Sequence, residues 1–550
     1  MQRRMLWRNE RSLYKRDCGL CGKSMLAMYH PDHPQRVFCR ECWYGDGWNS
    51  LATGREYDWS RNFFDQWRDL LTDTPLIGLW MLRSNAGTIF ANYVSNTKNC
   101  YLTYSTVESE EVLYSYAIDE SQSILDSTFV RESNLAYASI DSDKIYNSKY
   151  LTYGKECINC SFLFDCVNCQ DCFMSINLRN ARYVFRNQQL SREEYQAESE
   201  KLNLGSYVAT HKLQEEYANM VRTGMHKYAD ILKCVHSTGE NLEDCKNTRE
   251  SYEAYNCENL KYCIRAFGAK DCADVHGLPQ SELVYDSVTV GYGNAKVCFM
   301  LLNSEARDSA YSGNCQNCAN IFGCVGLRNK QYCILNKQYT KEEYEELVPK
   351  IIEHMNAMPY AGQNGRIYRY GEFFPSEISP FAYNETLAEE QYPLTKEQAL
   401  AQGYAWREPD TRNYQVTKIN SDLPDDIADA EDSILEDVLG CGHEGKCGHN
   451  CTTAFKIIPA ELDFYRRMRI PLPRLCPNCR HAERLKKRNP MKLWKRSCAC
   501  AGEKSENGRY NNRSAHFHGI GSCPNIFETT YAPDRPEAVY CEKCYQAEVI

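Results

Sequence analysis

No run of eighteen apolar residues occurs in this chain, and its opening stretch, Met1-Gln-Arg-Arg-Met-Leu-Trp-Arg-Asn-Glu10, lacks the apolar core of a secretory leader. The expectation is a cytoplasmic protein with no membrane partner. The common catalytic signatures are missing as well. There is no Gly-x-x-x-x-Gly-Lys-Ser/Thr phosphate loop, no Gly-x-Ser-x-Gly elbow and no His-Glu-x-x-His, and Gly291-Tyr-Gly-Asn294 does not continue into a dinucleotide fingerprint. The balance leans away from an enzyme. With 550 residues the chain is too long for one core, and roughly three to five domains are expected.

What the chain has in excess is cysteine, thirty in all. Without an export signal these stay reduced, so metal binding and thiol packing are better readings than disulfides. Charge is also unevenly placed. Residues 441 to 550 carry 19 Lys and Arg against 11 Asp and Glu, a net of +8, which leaves -17 of the total -9 on residues 1 to 440. Opposite signs at two ends imply different partners, or one end masking the other.

A repeated segment frames the middle of the chain. Leu178-Arg-Asn-Ala-Arg-Tyr-Val-Phe-Arg-Asn187-Gln-Gln-Leu-Ser-Arg-Glu-Glu-Tyr195 returns 149 positions later as Leu327-Arg-Asn-Lys-Gln-Tyr-Cys-Ile-Leu-Asn336-Lys-Gln-Tyr-Thr-Lys-Glu-Glu-Tyr344, with nine of eighteen residues identical. Cys166 and Cys169 map onto Cys315 and Cys318 at the same offset. Ahead of each copy run short Tyr/Val/Ile/Leu/Ser strands punctuated by Asn and Asp. That texture predicts a parallel β-solenoid with about two strands per turn. Ten cysteines there directly follow Asn or Asp: Cys100, Cys160, Cys166, Cys169, Cys172, Cys245, Cys257, Cys272, Cys315 and Cys318. Asn and Asp suit a corner and a small thiol can point inward after it; a metal held by Cys157, Cys160, Cys166, Cys169 and Cys172 is the sharper alternative. The Ser-Arg-Glu-Glu and Thr-Lys-Glu-Glu ends predict capping helices.

Metal chemistry concentrates at the two ends. Cys18-x-x-Cys21 and Cys39-x-x-Cys42 predict a tetrahedral zinc site, with Gly22 in its tight knuckle. In the C-terminal part the simplest closed site uses Cys447, Cys451, Cys476 and Cys479, with Cys441, His443 and His449 as nearby spares. The run Tyr29 to Trp43 returns at an offset of 502 as Tyr531 to Tyr545, carrying Cys21, Cys39 and Cys42 onto Cys523, Cys541 and Cys544. Cys18 maps onto Ile520, so the fourth ligand must come from Cys500, Cys498, His516 or His518, and Cys500 is favoured. About three zinc ions are expected. Between these sites, Arg466, Arg467, Arg469, Arg474, Arg480, Arg484, Lys486, Lys487, Arg488, Lys492, Lys495 and Arg496 stand against the single acidic Glu483. All but Arg474 are taken as candidate contacts to an RNA or DNA backbone. An internal partner for the acidic residues 419–440, or a protein partner, is the alternative.

The paired cysteines followed by an aromatic, Glu, Phe-Tyr, Pro and Cys-x-x-Cys-Arg resemble a short treble-clef zinc domain. Here the three-residue gap between Cys447 and Cys451 departs from its pattern. The whole set of motifs, including Gly371-Glu-Phe-Phe-Pro375, is similar to a family of zinc-binding proteins from reduced-genome bacterial lineages. That family has no established activity, and no residue pattern here supports the CaiB/BaiF acyl-CoA transferase label carried by some members.

The resulting expectation is a mainly β protein with helical caps, two parallel β-solenoid-like blocks and flanking zinc-ribbon or treble-clef modules. Residues 1–56 form an N-terminal zinc module, 57–84 a helical linker and 85–190 the first block. A helical connection (191–239) leads to the second block (240–339), then a cap and aromatic-rich segment (340–418) and an acidic linker (419–440). A treble-clef-like domain (441–489) and a zinc ribbon (490–550) close the chain. The function expected is a non-enzymatic zinc-binding scaffold that contacts nucleic acid through its basic end. A protein-only assembly scaffold and a carbohydrate-active enzyme on the solenoid are the alternatives.

Overall fold

The computed structural model describes residues 1–363, 365–408, 414–502 and 510–549. The chain divides into two compact units, one formed by residues 1–80, 229–408 and 490–493, the other by residues 81–228, 409–489 and 494–550. Both are mostly sheet, with eleven α-helices among the described residues. None of these helices is long and apolar enough to cross a membrane.

Each unit is built on a thirteen-stranded, largely parallel sheet, within residues 231–338 in the first and 81–189 in the second. In the second unit the register advances by twelve residues: Glu110 lies opposite Gln122, Gln122 opposite Asn134, Ala136 opposite Ser148 and Leu151 opposite Leu163. The first unit keeps the same step from Glu240 to Tyr252 and from Tyr252 to Ile264. It lengthens once to thirteen, with Glu282 opposite Ala295 and Val288 opposite Leu301. The extra residue falls in Gly291–Asn294, where Gly293 takes φ +70°. That glycine pair therefore serves a backbone insertion.

The twelve-residue step arises from a three-residue rule. From Asn99 through Leu102, Ser105, Glu108, Glu111 and Tyr114, and on to Asn180 and Tyr183, every third residue takes a left-handed φ. A branched Cβ resists that conformation, whereas Asn and Asp tolerate it. Among the described sheet residues no Val or Ile occupies such a position, and Thr289 is the one β-branched residue that does. All ten Asn or Asp residues that precede the ten cysteines have positive φ, and all ten cysteines are buried. Their thiols donate to the carbonyl two residues back, Cys160 to Ile158 at 3.2 Å and Cys257 to Tyr255 at 3.2 Å. Ser127 and Ser139 do the same with Leu125 and Tyr137. These thiols, Cys157 to Cys172 included, join no metal-ligating group among the described residues.

The repeated segment ends each parallel run. Val184–Phe185 pairs antiparallel with Gln188–Gln189, as Gln331–Ile334 does with Lys337–Gln338. At the two turns Asn187 and Asn336 are left-handed, and their side chains accept the backbone N–H of Ile176 (2.8 Å) and Val325 (2.9 Å). Donors that a further strand would have taken are thus satisfied locally. Helices Arg192–Glu200 and Lys341–Ala357 follow at once, each opened by a capping box, Ser191 with Glu194 and Thr340 with Glu343.

In the first unit, helix Phe63–Asp73 buries Phe63, Phe64, Trp67, Leu70 and Leu71. Phe63 meets Phe322 and Phe64 meets Tyr311 edge-on, at 5.5 and 5.7 Å between centroids. In the second unit the acidic residues 419–440, expected as a solvated linker, are packed in three short 3-10 turns. Leu423, Ile427 and Ile434 join the same apolar core as Leu125, Tyr137, Phe464 and Leu472. Asp425 holds the start of helix Tyr207–Thr223, accepting from Ser206 Oγ (2.5 Å) and Val208 N (2.9 Å). The buried apolar side chains are spread thinly among the acids, so composition alone reads this stretch as a linker.

Candidate metal centres

Three small modules share one frame. A strand ends just before the first ligand: Tyr14–Asp17 before Cys18, Leu439–Gly440 before Cys441, and Trp494–Ser497 before Cys498. Its antiparallel partner begins three residues after the second, at Ser24 after Cys21, at Ala454 after Cys451 and at Ile526 after Cys523. The last pair opens a helix, with Cys39 before Arg40–Tyr44, Cys476 before Pro477–Leu485 and Cys541 before Glu542–Val549. Hairpin and helix N-terminus thus converge on four thiols, and backbone N–H groups at the helix start face sulfur. The N–H of Cys39 donates to Cys18 Sγ (3.3 Å), that of Cys476 to Cys441 Sγ (3.2 Å) and that of Cys541 to Cys498 Sγ (3.2 Å).

Five groups of Cys and His have ligand atoms within 4.8 Å of one another and could hold metal ions. In the N-terminal module Cys18, Cys21, Cys39 and Cys42 come together as expected from their spacing. The next module differs from expectation. Cys441, not Cys447, joins Cys451, Cys476 and Cys479, while Cys447 falls in a neighbouring group with His443, His449 and the same Cys479. The odd gap between Cys447 and Cys451 has its reason here, because those two residues serve different groups. In the last module Cys498 completes the set with Cys523, Cys541 and Cys544, while Cys500 lies with His516, His518 and Cys544. Cys498, which follows the hairpin strand as Cys18 does, takes the fourth place in the all-cysteine group, and the favoured Cys500 falls in the neighbouring group.

The electrostatics repeat as well. The Cys476 thiol is drawn down to about 4, first by the Cys441 thiol that donates to it, and Cys541 goes down to about 4 through Cys498. Cys18 falls to about 6, where burial pushing it up is outweighed by the N–H groups of Cys21, Cys39 and Leu20. In each module one thiol is thus held toward the thiolate, the form that binds metal, while burial pushes its neighbours Cys39, Cys479 and Cys544 up. Around them Asn525 Nδ2 donates to Cys541 Sγ (3.3 Å) and Asn512 Nδ2 to Cys500 Sγ (3.2 Å). Neither Asn was legible as a site residue, since nothing in its spacing marks it.

The basic residues separate into two sets. Arg480 and Arg484 are buried against Asp126, at 2.5 and 2.7 Å, and the half-buried Arg488 pairs with Asp141 at 2.9 Å. Arg466 pairs with Asp432 and donates to the Ala430 carbonyl, and Lys486 pairs with Glu483. Arg474 donates to the Leu423 and Pro424 carbonyls, and Arg496 to those of Ala532 and Glu537. Lys492 belongs to the first unit. Arg467, Arg469, Lys487 and Lys495 are exposed.

Neither a family model nor a curated protein matches this chain. Among solved structures it is similar to a protein assigned as an acetyltransferase from Desulfovibrio desulfuricans G20. The identity is 8%, over 39% of this chain and 61% of that one, with a TM-score of 0.10. That likeness carries no argument about fold or chemistry.

Proposed function

We propose that the protein is a zinc-stapled scaffold, in which two β-solenoid blocks are held by treble-clef-like modules and their surfaces are presented to partners. The twelve-residue step with a left-handed residue at every third position supports coils of four short sides. The observation that carries the reading is the closed donor set of each module. Four Cys or His ligands fill a tetrahedral ion and leave no position for substrate, which is the pattern of structural zinc. Thiolate and imidazole also suit zinc over hard cations. On this reading the buried arginines of the C-terminal modules act internally, and kinship to the reduced-genome zinc-binding family rests on motifs alone.

Nucleic acid is the second reading, favoured by the exposure of Arg467, Arg469, Lys487 and Lys495. Binding of the full chain to mixed RNA and DNA across a salt series tests it. If these four side chains neutralise phosphates, affinity falls with salt at a log–log slope of about -3. Replacing all four with Ala should remove that slope. Absence of binding at low salt would leave the protein-only scaffold, for which assembly state is unchanged by nuclease.

A further inference from the structure

The two C-terminal modules each hold one more group of ligands than a single ion uses. We propose that each is a binuclear zinc centre bridged by one thiolate, Cys479 in the first and Cys544 in the second, so that the chain binds five zinc ions. The inference rests on the metal-binding part of the scaffold reading and deepens it.

Ligand arithmetic comes first. Two tetrahedral ions that share one vertex need seven donors. Each module supplies seven, five Cys and two His: Cys441, His443, Cys447, His449, Cys451, Cys476 and Cys479, and then Cys498, Cys500, His516, His518, Cys523, Cys541 and Cys544. In each, the shared residue is the last Cys of the Cys-x-x-Cys at the helix start. Spacing repeats within the pairs too, as Cys441-x-His443 matches Cys498-x-Cys500, and Cys447-x-His449 matches His516-x-His518. Two divalent ions against five thiolates leave one negative charge, compared with two for a lone ion in four thiolates.

The imidazoles are oriented for a second ion. His516 Nε2 meets Glu548 Oε1 at 2.9 Å, and both side chains have no exposed surface. Its Nδ1 lies 3.5 Å from Cys500 Sγ. His518 is set the other way, with Nδ1 on the Gly521 carbonyl (2.8 Å) and Nε2 3.3 Å from Cys544 Sγ and 3.4 Å from Cys500 Sγ. Each ring thus spends one nitrogen on an outer acceptor and turns the other onto thiols, the arrangement that fixes a metal-ligating histidine. In the other module Cys447 Sγ is 3.5 Å from Cys479 Sγ. His443 Nδ1 and His449 Nδ1 are both buried without a hydrogen-bond partner among the described residues.

The N-terminal module is the internal control. It keeps the same hairpin and helix, but Leu20, 44% exposed, stands where His443 and Cys500 stand. Only two residues separate Cys18 from Cys21, where nine separate Cys441 from Cys451 and twenty-four separate Cys498 from Cys523. The longer loops carry the extra donors. A second ion would tie each of them to the helix start.

Native mass spectrometry of the full chain, expressed with zinc and purified without chelator, reads the count directly. Five ions are expected, and a count below five in folded protein overturns the proposal. Three ions would overturn the bridging while leaving the stapled scaffold standing, whereas none would sink both. The double variant His516→Ala with His518→Ala should lose one ion, Cys544→Ser should lose two, and Leu20→Ala should keep all five. Should the Cys544 variant fail to fold, X-ray absorption at the zinc edge on the unmodified chain decides the matter. A zinc–zinc scattering path supports the shared thiolate, and its absence in five-zinc protein overturns it.

Discussion

Within each unit a sheet face is covered by other elements of the same unit, and helix Phe63–Asp73 of the first and helix Pro477–Leu485 of the second do so by opposite chemistry. In the first, the cover is aromatic: Trp67 lies tilted against Phe374, at 4.4 Å between centroids, and is fully buried. In the second, the helix that starts at Cys476 is held by charge. Asp126 sits at a left-handed position and takes both Arg480 and Arg484. Glu461 accepts from Tyr114 (2.8 Å), Tyr465 (2.7 Å) and Arg480 (3.3 Å), and Arg480 lies over the Tyr114 ring at 4.5 Å. Apolar covers tolerate small adjustments of fit, while a buried ion network demands every partner at once. The comparison suggests that the charged interface specifies where the C-terminal module docks, and that the aromatic one chiefly supplies stability.

The charged side breaks hardest. Asp126→Ala leaves the buried Arg484 without a carboxylate and Arg480 with Glu461 alone, and should cost about 3–5 kcal/mol. Denaturant titration gives the magnitude, and hydrogen exchange should localise the loss to residues 477–485. Loss of less than about 1 kcal/mol would mean that Asp126 contributes no more than an ordinary corner residue. The aromatic side should bend. Trp67→Phe opens a small cavity but also removes a buried indole N–H that has no partner among the described residues, so about 1–2 kcal/mol is expected, with exchange rising in residues 63–73. A cost equal to that of Asp126→Ala would erase the contrast between the two covers.

Much of this was legible. Cysteine spacing marked all three metal modules, the 149-residue repeat marked where each sheet ends, and Ser191 and Thr340 announced their helices. What escaped notice shares one physical feature, dependence on contacts distant in sequence. Asp126 and Asp141 carry no motif, and their arginines lie more than 300 positions away. Cys441 and Cys498 are marked by the hairpin strand that each follows, a pairing the sequence does not show, and they complete groups beside those of Cys447 and Cys500. Leu423, Ile427 and Ile434 are too sparse among acids to show a period, and only the packed core reveals their role. Glu548 carries no motif at all, being one turn of helix beyond the candidate ligand Cys544.

The smallest effect separates the units by pH. In the first unit burial, and then the neighbouring Glu390, raises the Glu389 carboxyl to about 7. Between pH 4.5 and 7 the folded state then holds more protons than the unfolded chain, so stability falls as pH rises, by about 1–2 kcal/mol after allowance for partial exposure. In the second unit burial, and then Arg469, lowers Lys149 to about 8, and its ammonium donates to the Met468 carbonyl at 2.6 Å. From pH 8 to 10 the unfolded chain holds more protons, so stability there rises with pH. Exchange protection should therefore fall in residues 387–391 across the acid-to-neutral range and rise in residues 459–468 across the alkaline one. Glu389→Gln should flatten the first trend and leave the second. Two trends of the same sign would show that these buried groups do not govern the pH response of their units.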